Sequence, residues 1–222
     1  MDRLLIVEGE EDEKFFSTVC RGIGNGVQVQ VRINQTRGKQ KAIETFASTL
    51  KSLSVASDSR VGLVVDADQQ AINSSDGFAN TRTAINGHLT SLSFKALAQA
   101  SGTSGFLADA NAKPKVKVGA WIMPDNRSDG YLEHFVSQVV AAAEADRYRF
   151  AADLAGRVAD GKHNGPPFNF KPHHRPKAEL GTWLAWSDPP RMSLGAVASA
   201  GLLDQQHAQF QELMQWLRLL YL

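Results

Sequence analysis

The stretch that decides the fold lies at the start of the chain and reads Leu4-Leu5-Ile6-Val7-Glu8-Gly9. A short, continuous apolar run that ends at a charged residue and a glycine is typical of a strand buried on both faces of a sheet. Residues 10–21 follow with helix-forming side chains and an apolar stripe on one side. The stretch therefore predicts a buried strand that leads at once into a helix, with Glu8 at the junction.

The same alternation continues over about 150 residues. Further strands are predicted at 27–33, 60–65 and 116–123, and further helices at 39–53, 80–92 and 129–148. Alternating strands and helices are typical of a mostly parallel sheet that is covered by helices. We therefore predict an α/β, Rossmann-like three-layer fold with a central, mostly parallel sheet and a C-terminal helical extension.

Composition narrows the class of protein. The chain has 222 residues, of which 43% are hydrophobic, and its 24 Lys and Arg nearly balance 23 Asp and Glu for a net charge of +1. These values exclude a disordered chain and a uniformly basic nucleic-acid binder. A single cysteine, Cys20, excludes an internal disulfide and a thiolate zinc site.

The composition of the sequence changes after about residue 150. The stretch Lys162–Lys177 holds half of the eight prolines among Lys, Arg and His residues, which predicts a proline-rich basic arm. Residues 205–222 carry an apolar stripe at helical spacing, which predicts a helix that docks on the rest of the chain or forms a dimer surface. We predict an α/β metal-binding domain at 1–150 and an extension at 151–222 that packs on it.

The start of the chain also bears on location. Charged residues occur too early for the apolar core of a signal peptide, and no apolar run approaches the roughly 18 residues of a membrane-spanning helix. A cytoplasmic protein without a membrane partner is the expectation.

Acidic residues follow three of the predicted strands. Glu8 ends the first, Asp66 and Asp68 follow the strand at 60–65, and Glu133 lies in the first turns of the helix after the strand at 116–123. Ligands of open α/β sheets bind at the carboxyl ends of the strands. Crowded carboxylates resist joint ionisation, and a hard cation such as Mg²⁺ relieves this repulsion. The alternatives are a turn or helix cap at Asp66 and Asp68, and a favourable helix-dipole position for Glu133.

These residues carry a resemblance to a known family. Leu5-Ile6-Val7-Glu8-Gly9-Glu10-Glu11-Asp12 resembles the first motif of the Toprim domain, in which a strand ends in a glutamate followed by glycine. Val64-Val65-Asp66-Ala67-Asp68 resembles its Asp-x-Asp motif. The resemblance implies Mg²⁺, or Mn²⁺ in its place, held by Asp66 and Asp68, and a catalytic or metal-binding role for Glu8. Glu133 matches the additional acidic residue of the nucleases of the overcoming-lysogenization-defect type. The stretches at 121–127, 132–133 and 182–186 are similar to a small stand-alone Toprim-like bacterial family.

Departures from the larger Toprim proteins narrow the expected activity. The sequence shows neither the active-site tyrosine domain of a topoisomerase nor the glycine-rich phosphate loop of a fused ATPase. Metal-dependent cleavage of a phosphodiester in DNA or RNA, with Glu8, Asp66 and Asp68 as catalytic residues, is the leading hypothesis. A non-catalytic metal- or nucleic-acid-binding subunit that works with a separately encoded ATPase is a second hypothesis. A glycosyltransferase that binds a nucleotide-sugar through its Asp-x-Asp motif is a third.

A site for a polyanionic substrate also needs positively charged side chains. The sequence contains two candidate groups of positively charged side chains. One is a turn before the helix at 39–53, which could instead be only a solvated turn. The other is the basic arm, which could instead be an arm packed on the protein surface. The candidate nucleic-acid contacts are Arg37, Lys39, Lys171, Arg175 and Lys177.

Overall fold

The computed structural model of the protein describes residues 2–34, 36–54, 56, 58–111, 113, 115–162 and 170–222. It confirms the predicted fold class, because the described residues form an α/β structure with a six-stranded, mostly parallel sheet between two layers of helices. The proline-rich residues 163–169 of the predicted basic arm lie outside the described residues.

The strands of the sheet lie in the order β2-β1-β3-β6-β5-β4. Strands β2, β1, β3 and β6 are parallel, and β5 and β4 complete one edge in antiparallel pairing. Sequence patterns did not indicate β4 and β5, because β4 has only two residues and β5 reads Phe-Leu-Ala-Asp without alternating polar residues. The strand bounds are β1 Asp2–Val7, β2 Gln30–Ile33, β3 Ser59–Asp66, β4 Ala98–Gln99, β5 Phe106–Asp109 and β6 Lys117–Met123.

Helices cover the two faces of the sheet unequally. Helices α2 and α3 bury their apolar sides against one face, and the other six pack over the opposite face. The helix bounds are α1 Glu10–Val19, α2 Lys39–Ser52, α3 Phe78–Ser91, α4 Leu132–Gln138, α5 Ala145–Ala159, α6 Arg175–Ala185, α7 Leu194–Ser199 and α8 Ala208–Tyr221.

The prediction of a single helix at 129–148 is wrong. Helix α4 ends at Gln138, and the chain then forms an isolated bridge between Val140 and Leu203 before a 3₁₀ turn at Ala142–Glu144 leads into α5. The Ala141 N–H donates to the Leu202 carbonyl at 2.9 Å, so this backbone pairs with a distant segment instead of continuing the helix. A tertiary contact of this kind overrides local helix propensity.

The C-terminal helix α8 docks on the sheet, as predicted. The Tyr221 hydroxyl donates to the Leu4 carbonyl at 2.8 Å, and the Trp216 indole N–H donates to the Phe106 carbonyl at 3.0 Å. Gly62 leaves room for this approach, since a Cβ there would lie 2.6 Å from the Tyr221 oxygen. The predicted boundary at residue 150 falls inside α5, and the helices on both sides of it share one apolar core.

The parallel pairing decides where the acidic residues lie. Strands β1 and β3 are neighbours and run in the same direction, so Glu8 and Asp66 reach the same edge of the sheet. Strand β6 pairs with β3 in register up to Asp66 and Met123, and the segment that follows it leads into α4. Three chain segments therefore deliver their acidic residues to one end of the molecule.

No helix among the described residues combines the length and the apolar character needed to cross a membrane.

The close packing of α1 against α7 generates a first prediction. A Cβ at Gly195 would lie 2.4 Å from the Lys14 carbonyl oxygen, so we expect Gly195→Ala to lower the free energy of unfolding by about 1–3 kcal/mol through overpacking. Gly87 in α3 is the matched control, because a Cβ there meets no described atom within 4 Å. We expect Gly87→Ala to raise stability by about 0.5–1 kcal/mol, since alanine favours a helix over glycine. Urea unfolding of both variants tests the packing, and equal effects would contradict it.

Candidate functional site

Five acidic residues gather at the carboxyl end of the parallel strands. We define them as the acidic cluster, and they are Glu8, Asp12, Asp66, Asp68 and Glu133. Glu8 follows β1, Asp12 lies in the first turn of α1, Asp66 ends β3, Asp68 follows it, and Glu133 lies in the first turn of α4. The structure thus brings together all four acidic residues that the sequence indicated and adds one.

Backbone hydrogen bonds hold the centre of the cluster. The Asp66 N–H donates to Glu8 Oε2 at 3.2 Å, and the Leu132 N–H donates to Asp66 Oδ1 at 2.9 Å. The first of these bonds joins the ends of β1 and β3. The second places Asp66 at the start of α4, where free backbone N–H groups favour a carboxylate.

The loop after β3 positions Asp68. Asp68 has a φ of 60°, and its N–H donates to the Gly130 carbonyl at 2.9 Å. The Asp129 carboxylate then accepts hydrogen bonds from the N–H groups of Gln70 at 3.0 Å and Phe78 at 2.8 Å. These bonds fasten the loop after β3 to the loop after β6, so Asp68 and Glu133 are positioned by one connected backbone network.

Asp12 is the member of the cluster that sequence reasoning missed. Its carboxylate accepts a hydrogen bond from the Gly9 N–H at 3.1 Å, as expected for an acidic residue near a helix start. Burial, followed by repulsion from Glu8 and Glu133, raises the pKa of Asp12 from 3.8 to about 7. The available signal was its position four residues after Glu8, one helical turn along the chain.

The other central carboxyl groups also resist ionisation. Burial, followed by repulsion from Asp68, raises the pKa of Glu8 from 4.5 to about 7, although the hydrogen bond from the Asp66 N–H opposes this shift. Burial and the charges of Asp12 and Glu8 raise the pKa of Asp66 well above its ordinary value. Full ionisation of the cluster is therefore unfavourable in the metal-free protein.

Lys39 lies at one side of the cluster, at the start of α2. Its ammonium group lies 2.6 Å from Asp68 Oδ2 and 2.7 Å from Asp76 Oδ1, and it donates to the Ala67 carbonyl at 3.1 Å. Burial opposes the charge of Lys39, but the hydrogen bonds to Asp68 and Asp76 outweigh it and raise the pKa. Lys39 is therefore a charged, partly buried partner of the acidic residues.

Lys177 lies at the opposite side and comes from α6 in the C-terminal part of the chain. Its ammonium group lies 2.7 Å from Glu133 Oε1 and 5.6 Å from the centre of the Tyr131 ring. Burial lowers the pKa of Lys177, and the attraction and hydrogen bond of Glu133 outweigh this effect and raise it. The C-terminal extension thus supplies one cation of the site.

The three other predicted nucleic-acid contacts lie outside the cluster. Arg37 pairs with Glu10 on the exposed side of α1. Arg175 lies 2.7 Å from Glu179 and 3.8 Å from Asp160. Lys171 is exposed. The structure therefore brings Lys39 and Lys177 to the acidic residues and leaves Arg37, Lys171 and Arg175 at the surface.

The fit of a metal ion can be judged from the donor atoms. Carboxylate oxygens are the ligands that Mg²⁺ prefers, and Glu133 Oε2 is buried without a hydrogen-bond partner among the described residues. Burial, followed by repulsion between the carboxylates, raises the pKa values of Glu8, Asp12 and Asp66, and a bound cation would offset both effects. Within the described part of the chain, however, no three His, Cys, Asp or Glu side chains are arranged so that they could hold a metal ion. Donor chemistry and charge fit the ion, while Lys39 and Lys177 contact carboxylate oxygens that it would use.

The fold and the site together define an α/β protein with a partly buried acidic site at the carboxyl edge of its sheet. The chain belongs to a family described as protein of unknown function (DUF3226), whose model matches residues 2–222. Neither the curated proteins nor the solved structures contain a significant match.

The pKa of Asp12 generates a prediction about stability. An acid whose pKa is raised on folding destabilises the folded state above that pKa, and this penalty declines as the pH falls towards the unfolded value. We expect Asp12→Asn to raise the free energy of unfolding of the metal-free protein by about 1–3 kcal/mol at pH 8, because it removes the buried charge. The gain should shrink between pH 7 and pH 4.

Urea unfolding in EDTA at several pH values measures this effect. Asp146 on α5 is the matched control, because its side chain is 94% exposed and Asp146→Asn should change stability by less than about 0.5 kcal/mol. A gain for Asp12→Asn that is the same at pH 8 and pH 4 would rule out the charge explanation.

Proposed function

We propose that the protein hydrolyses phosphodiester bonds of DNA or RNA in a Mg²⁺-dependent reaction, as a nuclease of the Toprim type. The observation that carries the proposal is the acidic cluster, in which carboxylates from the ends of neighbouring strands meet and have raised pKa values. Strongly perturbed carboxyl groups that share a site are more frequent at functional sites than elsewhere. The order of Glu8, Asp66 and Asp68 along the chain also agrees with the Toprim resemblance.

Each acidic residue has a distinct part in the proposed reaction. Asp66, Asp68 and Glu133 would hold the cation, with Glu8 beside them. When bound, Mg²⁺ supplies a positive charge that polarises the phosphoryl group and lowers the pKa of a bound water molecule. The pKa of Glu8 is about 7 in the metal-free protein, and a bound cation would lower it and favour the carboxylate, which can accept a proton from that water molecule. Mn²⁺ should replace Mg²⁺, since both prefer oxygen ligands.

The two lysines explain how a polyanion would approach an acidic site. Lys39 and Lys177 lie on opposite sides of the cluster, and the pKa of each is raised by its acidic partners, so both stay charged. When a cation takes over the carboxylates, the ammonium groups become available for phosphate oxygens. Arg37, Lys171 and Arg175 would extend these contacts along the strand.

The setting of the proposed reaction follows from the sequence. These 222 residues contain no glycine-rich phosphate loop, so any ATP-dependent step would use an ATPase that lies outside them. We propose a cytoplasmic enzyme that acts alone, as a homodimer or with such a subunit, and analytical ultracentrifugation distinguishes the first two states.

A second candidate function is a non-catalytic subunit that binds nucleic acid. The observation that favours it is the lack, among the described residues, of three acidic side chains arranged for a metal ion. Lys39 and Lys177 would then neutralise the acidic cluster permanently. Such a protein would bind oligonucleotides with no cleavage at any concentration of Mg²⁺ or Mn²⁺, whereas the proposed nuclease cleaves.

Replacement of Asp66 tests the proposed hydrolysis. We expect Asp66→Asn to reduce Mg²⁺-dependent cleavage of oligonucleotides on the order of 10²-fold or more, because the amide is a poorer ligand for a hard cation. The variant should stay folded, since the amide oxygen can still accept the Leu132 N–H. Gel assays of cleavage, with circular dichroism as the folding control, measure both results. Asp146→Asn should cleave like the wild type, and unchanged activity in Asp66→Asn would refute the assignment.

Replacement of Lys177 tests the role of the C-terminal extension. We expect Lys177→Met to weaken oligonucleotide binding and to reduce the slope of log affinity against log salt by about 1, since one phosphate contact is lost. Lys95 is the matched control, because it is exposed and pairs only loosely with Asp109, at 3.4 Å. Fluorescence anisotropy in Ca²⁺ at several salt concentrations gives both slopes. Equal slopes for Lys177→Met and the wild type would remove Lys177 from the binding site.

A further inference from the structure

A cavity of about 410 Å³ opens directly beside the acidic cluster. Glu133 and Lys177 line both the cluster and the cavity, so the two are continuous. The apolar part of the cavity wall comes from α6 and from the segment that leads into α7, and consists of Leu180, Leu184, Met192 and Leu194. The cavity therefore joins an apolar surface to the proposed reaction centre.

Polar groups surround the apolar wall of the cavity. Lys14, Arg191, Glu11 and Ser193 line it, and Glu11 accepts hydrogen bonds from the Leu194 N–H at 3.1 Å and from Lys14 at 2.6 Å. Arg191 is exposed and makes no ion pair with any described residue. The cavity thus offers cations and hydrogen-bonding groups around an apolar interior.

Gly181 gives the cavity a flat wall. It lies in α6 between Leu180 and Thr182, faces solvent, and a Cβ there would meet no described atom within 4 Å. A larger side chain would therefore fit the protein and would occupy the cavity instead. A planar ring can lie against the exposed helix backbone because no side chain covers it at this position.

We propose that this cavity holds one unpaired nucleobase of a strand whose phosphate lies at the acidic cluster. The inference rests on the proposed function, because it takes the cluster as the site of the phosphate. A nucleobase has apolar faces and a polar edge, which match an apolar wall with polar groups around it. Lys14 and Arg191 then lie where the adjoining phosphates of the strand need cations.

A pocket for an unpaired base would favour single-stranded nucleic acid as the substrate. A base inside a duplex is stacked and paired, so it reaches a pocket only after it has been unstacked and flipped out of the helix. A single strand, or the unpaired end of a duplex, needs no such step. The protein should therefore bind and cleave single-stranded DNA or RNA in preference to a blunt duplex of the same sequence.

A pair of glycine variants tests the proposed pocket. We expect Gly181→Leu to weaken binding of a fluorescent single-stranded oligonucleotide about tenfold, measured by anisotropy in Ca²⁺, because leucine fills the space of the base. Gly87→Leu in α3 is the matched control, since it makes the same change at an exposed helical glycine with open space around it. It should bind like the wild type.

An oligonucleotide series provides an independent measurement on the wild-type protein. Oligonucleotides with an abasic site at successive positions should bind about tenfold more weakly at the one position that places the gap in the pocket. Gly181→Leu should show no such dependence on position. This part of the test is informative even where a variant fails to fold.

The outcomes separate this inference from the proposed function. Three results would each overturn the base pocket, even where Asp66→Asn abolishes cleavage. They are equal binding by Gly181→Leu and Gly87→Leu, no effect of an abasic site at any position, and equal affinity of the wild type for a single strand and for a blunt duplex. Weaker binding by Gly181→Leu together with the positional abasic effect, in a wild-type protein that does not cleave, would support the pocket and refute the hydrolysis.

Discussion

The burial of several carboxyl groups together at the end of a parallel sheet, with the repulsion between them, is the constraint on which the rest of the site depends. Strands β1 and β3 are adjacent and parallel, so the side chains that follow them reach the same edge. The hydrogen bond from the Asp66 N–H to Glu8 and that from the Leu132 N–H to Asp66 hold two of these groups in place against their repulsion. Burial, followed by this repulsion, raises the pKa values of Glu8, Asp12 and Asp66.

Two lysines from distant parts of the chain offset this repulsion. Lys39 comes from α2 on one side of the sheet, and Lys177 comes from α6 on the other, 138 residues later in the sequence. The C-terminal extension is therefore part of the site as well as part of the core. The helices after residue 150 pack against the same apolar cluster as α1 and α4, and this packing brings Lys177 to the site.

The elements that could be predicted from the sequence are those with a local pattern of apolar residues. The continuous apolar runs before Glu8 and Asp66 indicated parallel strands, and the parallel geometry then placed their acidic residues together. The sequence named Lys39 and Lys177 as candidate cations but did not show that they pair with Asp68 and Glu133, because these contacts join elements far apart in sequence. The burial of Asp12 near Glu133 depends on such a contact as well. The break between α4 and α5 was hidden for the same reason, since the pairing of Val140 with Leu203 is a tertiary contact.

Stability alone does not account for either the acidic cluster or the cavity beside it. Partly buried carboxyl groups with raised pKa values destabilise the folded protein at neutral pH, and neutral side chains of similar size would remove that penalty. Gly181 is unfavourable by about 0.5–1 kcal/mol relative to alanine within a helix, and a Cβ there meets no described atom within 4 Å, so packing does not require glycine. Features that lower the stability of a fold, and that neither packing nor hydrogen bonding requires, are expected where a protein binds its ligand. The acidic cluster and the cavity meet at Glu133 and Lys177, which is consistent with the proposed site, where a cation and a phosphate would bind on one side and a base on the other.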